Sequence, residues 1–207
     1  MTSFNPEHRN RLSGQITIAF YRIAQAIERL FRERGKSAHL SSAQIQSLIF
    51  LKYARSGVRT IGGLAERLGV TYATSSGVAD ALERKDLIRR IPSAEDKRII
   101  ELELTQKGKG EIEKLEDVLD EIESAIESLP TSEKMVLLKA TQTIVRRLQK
   151  AGYVNVYEMC WKCQFFRPNA HPDNPKTPHH CAFMDAPLSE PETYLECPDS
   201  TPIETGK

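Results

Sequence analysis

The only four cysteines in the 207 residues fall between positions 160 and 197. Their pattern is Cys160-x2-Cys163-x17-Cys181-x15-Cys197. A C-x2-C pair lets two thiolates grip one centre from a tight loop, and two further thiolates complete four-coordination. Zinc accepts four thiolates in this way, and so do iron–sulfur clusters. His171, His179 and His180 lie in the same stretch as substitute ligands, but four cysteines already suffice. Trp161, Phe165, Phe166, Phe183 and Tyr194 surround the cysteines in sequence, the composition of an apolar shell that tunes a cluster's potential. The expectation is therefore an iron–sulfur cluster, [4Fe–4S] by preference, with zinc as the alternative and a disulfide or free thiols last. An oxidoreductase built on Cys160 and Cys163 would need a surrounding βαβ pattern, which is missing. No Ser/His/Asp constellation, phosphate-cradling glycine loop or paired-carboxylate site stands out either, so no enzyme is expected.

A second chemistry lies upstream. The formal net charge is only +1, but it is unevenly spread: +4 over residues 1–51, +4 over 52–100, −3 over 101–152 and −4 over 153–207. A basic front half on a near-neutral protein suits a phosphate-facing surface. Within it, Thr60 caps a short amphipathic helix over residues 61–68, Gly69 allows a turn, and Thr71 caps a second helix to about Lys85. Ala73, Val78, Ala79 and Leu82 suit the buried side of that second helix. Thr71, Thr74, Ser75 and Ser76 are short polar side chains that can approach base edges or phosphates. Residues 87–91 and 99–104 alternate as strands about a charged tip, Pro92 to Arg98, making a hairpin. Arg98 at such a tip can enter a narrow minor groove with Asp96 steadying it, while Arg89, Arg90 and Lys97 can neutralise phosphates.

The flanking elements must hold this head in place. An amphipathic helix is expected over 13–34 with Gly35 as its stop, and Leu40-Ser41-Ser42-Ala43-Gln44 offers an N-cap serine with Gln44 close behind, opening another helix through Tyr53. Ile112, Leu115, Val118, Leu119, Ile122 and Ile126 mark one long helix ended by Leu129-Pro130, and Thr131 starts another that reaches Gly152. These outer helices either pack within the chain or bury one another between two chains. Beyond residue 152 the composition shifts, with 8 of the 11 prolines and every cysteine in the last 55 residues. A domain of residues 1–152 and a cysteine-rich tail of 153–207 follow. No apolar run reaches the ~18 residues of a membrane span, and the N-terminus makes a poor secretory signal, so the cytosol is the default compartment and no membrane partner is expected.

The order helix, helix, turn, helix, hairpin, long helix, helix resembles the MarR family of winged-helix regulators over about residues 12–150. The segments IGGLAERLGVTYATSSGVADALERKDLIRR and SAEDKRIIELELTQKGK carry the resemblance. It implies a mainly α fold with a small β-hairpin wing, a homodimer on double-stranded DNA, and a recognition helix in the major groove. It also implies a wing arginine, here Arg98 of Asp96-Lys97-Arg98, in the minor groove. A roughly palindromic operator with half-sites about one turn (~10 bp) apart follows from two-fold symmetry. Such regulators often take an aromatic or phenolic effector near the dimer interface, where His39 is a polar residue to consider. The tail segment CWKCQFF, with Cys181-Ala-Phe and Cys197, is similar to the cluster-binding segment of high-potential iron–sulfur proteins. The combined expectation is a transcriptional regulator whose tail senses redox state, oxygen or iron. Its alternative is a structural zinc site beside an organic-effector pocket.

Overall fold

The structure, a computed structural model, describes residues 4–5, 10–54, 58–93, 97–154, 160–194, 197, 200–201 and 203. Helix α1 (Leu12–Ala38) leads into α2 (Ser42–Tyr53), α3 (Ile61–Leu68) and α4 (Tyr72–Arg84). The antiparallel hairpin of β1 (Ile88–Pro92) and β2 (Ile100–Leu104) follows, then α5 (Gln106–Ile112), a 3-10 turn (Glu116–Leu119), α6 (Asp120–Glu127) and α7 (Thr131–Lys150). The chain is mainly helical with one small wing-like hairpin before residue 152. Among the described residues no helix is long and apolar enough to cross a membrane.

Local chemistry sets several of these boundaries. Ser41 and Gln44 form a reciprocal capping box at the start of α2. Thr60, Thr71 and Thr105 each accept from the backbone N–H three residues on, opening α3, α4 and α5. The core beneath them joins Ile45, Leu48 and Leu51 of α2 to Leu64 of α3, Leu82 of α4, Ile88 and Leu102 of the hairpin, and Ile112 and Val118 beyond it. Fully burying side chains of this size stabilises by about 1.5–3 kcal/mol each.

Two boundaries differ from the sequence pattern. Helix α1 passes through Gly35 and ends at His39, whose φ of 52° supplies the left-handed C-cap. Gly35 serves packing instead: a Cβ there would stand 2.2 Å from the Leu40 carbonyl oxygen, where the chain crosses back into α2. The long helix expected from Ile112 to Leu129-Pro130 is broken: Ile112 ends α5, and the 3-10 turn and α6 follow. Its first apolar residues, Ile112, Leu115 and Val118, repeat every three positions and are all buried, a spacing that suits the tighter winding at Glu116–Leu119. Side chains of α2 and α1 pin the turn: the Lys52 ammonium and the Tyr53 hydroxyl both lie 2.6 Å from Glu116, and Arg34 lies 3.0 Å from Asp117.

Past α7 the backbone changes character. Three short antiparallel strands, β3 (Phe166–Arg167), β4 (His179–Cys181) and β5 (Ala186–Leu188), pair in the order β3-β4-β5. Short 3-10 turns at Cys160–Lys162 and Pro191–Tyr194 flank them.

Candidate nucleic-acid interface and cysteine centre

Helix α4 sits across a tight turn from α3, with Gly69 at φ 65° making the bend. Thr71 anchors its first turn: its hydroxyl accepts from the Thr74 N–H at 3.2 Å and lies 2.9 Å from the Thr74 hydroxyl. The helix buries Ser75, Ala79 and Leu82. Ser75 is 0% exposed and donates its hydroxyl to the Ile61 carbonyl at 3.0 Å. Ser75 is therefore a packing residue between α3 and α4, not the groove contact expected of it, because the helices cross closely enough to enclose a small hydroxyl. With Ser75 inward, about 100° per residue carries the outward line through Ala73, Gly77, Asp80 and Arg84. Ala73, assigned to the buried side by its apolarity, is exposed, as are Thr71 and Thr74, while Ser76 is half-buried. Tyr72, passed over in the sequence, is 65% exposed beside the cap. Turning the helix with Ser75 inward is the step that would have found it.

The wing is braced against this helix. Arg90 of β1 reaches Asp80 at 2.5 Å and pairs with Glu83, both on α4, and the hydrogen bond to Asp80 is the first cause that holds its guanidinium more firmly charged. Arg89 lies opposite Glu103 of β2 and pairs with it at 2.5 Å. The structure thus gives both arginines carboxylate partners within the head. At the tip, Ser93 donates to the buried Glu101 carboxylate at 2.7 Å and its N–H closes on Ile99. Lys97 and Arg98 are exposed, and Asp96 lies outside the described residues.

The four cysteines arrive from three places in the tail and line one pocket with Phe165, Phe166, Phe183, Met184 and Ser200. The Cys163 N–H closes on the Cys160 carbonyl at 2.8 Å, which forms the tight C-x2-C loop. Pairing of β3 with β4 sets Phe166 opposite Cys181. The returning segment brings Cys197 in and donates the Thr201 N–H to the Cys163 sulfur at 3.4 Å. None of the four is paired in a disulfide, and all are half-buried. Burial, then the neighbouring Cys197, Cys181 and Cys163, push the Cys160 thiol up to about 11. Among the described residues no three His, Cys, Asp or Glu side chains stand close enough to hold one ion.

Around the pocket, Trp161 donates its indole N–H to the buried Thr193 hydroxyl at 3.0 Å and meets Phe166 edge-on. The guanidinium of Arg146, on α7, lies 5.3 Å from the centre of the same indole. His179 turns away from the sulfurs: its Nδ1 accepts from the Asn169 N–H at 3.1 Å, so its Nε2–H faces Glu190 at 2.7 Å. His171 and His180 face each other at 3.2 Å. The side chain of Tyr194 is not among those described.

Residues 40–100, spanning α2 to the wing, match the model of the MarR family. The HTH-type transcriptional repressor YetL of Bacillus subtilis is 32% identical over 123 residues, which are 59% of this chain and 71% of that one. The chain belongs to the MarR family. A second relative, the HTH-type transcriptional repressor MdtR of B. subtilis, is 27% identical over 69% of this chain and 96% of its own. Among solved structures, the S. aureus MepR–DNA complex is 25% identical with a TM-score of 0.54, covering 63% of this chain and 96% of that chain. BldR of Sulfolobus solfataricus is 27% identical with a TM-score of 0.52, over 64% and 94% respectively. The protein is thus a DNA-binding transcriptional regulator of MarR type, not an enzyme. Because MepR is matched along nearly its whole length, about a third of this chain is additional to it.

Proposed function

We propose that the chain is a homodimeric MarR regulator that binds a roughly palindromic operator, and that residues 153–207 form a metal-binding tail that reports redox state, oxygen or iron. The observation that carries the tail's role is the convergence of all four cysteines on one aromatic-lined pocket. Cys160, Cys163, Cys181 and Cys197 are the ligands in this reading. Four thiolates suit zinc or a cluster alike, and the aromatic side chains on the same pocket, Phe165, Phe166 and Phe183, favour a cluster, [4Fe–4S]. A cluster bound there would supply one-electron chemistry and sensitivity to oxygen. Phe165, Phe183 and Met184 would limit water at the sulfurs, and the Thr201 N–H would stabilise thiolate charge on Cys163.

The dimer reading rests on apolar side chains exposed on the outer helices, among them Ile16 and Ile23 on α1 and Val136 and Leu138 on α7. In the operator complex, Thr71, Thr74 and Ser76 of α4 face the major groove, Arg98 takes the minor groove, and Lys97 takes a phosphate. The deciding measurement is a visible spectrum with iron, sulfide and zinc analysis of the full chain purified without oxygen. Iron and sulfide with broad visible absorption are expected, and they should be lost in the Cys181→Ser/Cys197→Ser double variant. Holo protein and protein stripped of its metal should then differ in affinity for the same operator duplex. Equal affinity would remove the sensing role.

A second reading keeps the regulator, makes the tail a structural zinc site, and moves sensing to a small organic molecule. A groove of about 920 Å³ where α1 turns into α2 favours it, with Arg32, Lys36, His39 and Ser42 on its walls. Glu28 also lines the groove, pairing with Arg32 and accepting from the Ser42 hydroxyl, so its wall offers donors and an acceptor to an organic effector. CouR of Rhodococcus jostii RHA1, which shares the fold at a TM-score of 0.56 and 19% identity, has been solved bound to p-coumaroyl-CoA. One zinc per colourless chain would select this reading.

A further inference from the structure

Glycines in this chain divide by what the fold asks of them. Gly69 and Gly152 adopt left-handed backbone angles. Gly35, Gly63 and Gly108 sit where a Cβ would stand 2.2, 2.0 and 2.0 Å from a backbone oxygen. Gly77 has neither reason. It lies in the middle of α4, outside the left-handed region, and a Cβ built there meets nothing within 4 Å among the described residues. Glycine is among the poorest helix formers, so at this position it weakens the helix and returns nothing to the folded chain.

What the fold does not ask for, the ligand can. Gly77 is exposed on the outward line of the helix that the MarR assignment places in the DNA major groove, one turn beyond Ala73. Tyr72 and Thr74 are exposed on either side of that line. We propose that Gly77 is a positioning residue for operator recognition. Its missing side chain lets the backbone of α4 approach the floor of the major groove, so that Tyr72 and Thr74 on its flanks reach base edges. Tyr72 offers a hydroxyl donor for a guanine edge or phosphate and an aromatic rim for a thymine methyl. A Cβ at residue 77 holds the helix axis away from the bases and lengthens every contact at once. The proposal stands on the DNA-binding assignment and owes nothing to the cysteine tail.

Stability and binding should therefore move in opposite directions. The probe is a duplex enriched on the unmodified full chain from a randomised pool. Gly77→Ala should raise Tm by about 2–4 °C, as a better helix former in a chain of this size. It should weaken specific binding at least about tenfold, the order of one lost base contact. Gly77→Gln should weaken binding further while still raising Tm. Neither residue removes a charge, so the dependence of log K on log salt should keep its slope. Gly110 of α5, whose Cβ would also meet nothing within 4 Å, is the control: Gly110→Ala should raise Tm and leave affinity unchanged. A Gly77→Ala protein that binds the duplex as tightly as the parent overturns the proposal. So does one whose affinity and Tm fall together, because the glycine would then serve the fold.

Discussion

Neighbouring residues on α4 have opposite duties. Thr74 is exposed and Ser75 is enclosed, with its hydroxyl on the Ile61 carbonyl. Thr74→Ala should lower operator affinity with little change in Tm. Ser75→Ala should lower Tm by about 2–4 °C, the loss of a hydrogen bond worth about 1 kcal/mol, and thermal melts beside titrations on the same duplex separate the two. The caps at Thr60 and Thr71, and a capping serine just ahead of Gln44, were legible in the sequence because a cap joins residues three apart. Ser75 was not, because its burial depends on how closely α3 crosses, and that is decided by Ile61 and Leu64 elsewhere in the chain. Ala73 misled for the complementary reason: its size suits a core and a close approach to a partner equally.

At the scale of elements, the hairpin is clamped to α4 through Arg90, Asp80 and Glu83, and its two strands are laced by Arg89 and Glu103. A phosphate contact and an internal brace differ in how they respond to salt. Lys97→Gln, at the exposed tip, should reduce the slope of log K against log salt by about 1. Arg90→Gln should leave the slope nearly unchanged and weaken discrimination between the enriched duplex and random DNA, since it loosens the angle between wing and helix. The alternation of residues 87–91 and 99–104 announced these strands, since a two-stranded ribbon needs little beyond local pattern. The break after Ile112 was hidden because amphipathic spacing in a window reads as α-helix even where 3-10 winding wins. That outcome depends on contacts from Lys52, Tyr53 and Arg34, which lie 60 or more residues away.

At the scale of the molecule, the outer helices leave apolar side chains in water: Met135, Val136, Leu137 and Leu138 on α7, with Val136 70% exposed. If a second copy covers them, Val136→Glu with Leu138→Glu should convert the protein to a monomer by sedimentation equilibrium, with helical content kept and operator affinity sharply reduced. The tail's cysteine spacing was readable as a metal site at once, but the convergence of its ligands was not. Strands of two or three residues carry almost no periodic signal, and the return of Cys197 depends on the backbone bonds of Gln164 and Thr201. One consequence of that tail is optical. Trp161 is the chain's single tryptophan, and it stands inside the C-x2-C loop with Arg146 of α7 over its ring. Tryptophan emission is therefore the light of the tail alone, while far-ultraviolet circular dichroism is dominated by the helices of the DNA-binding head. Followed together in one denaturant titration, the two signals tell whether head and tail melt as one body or as two, with no label attached.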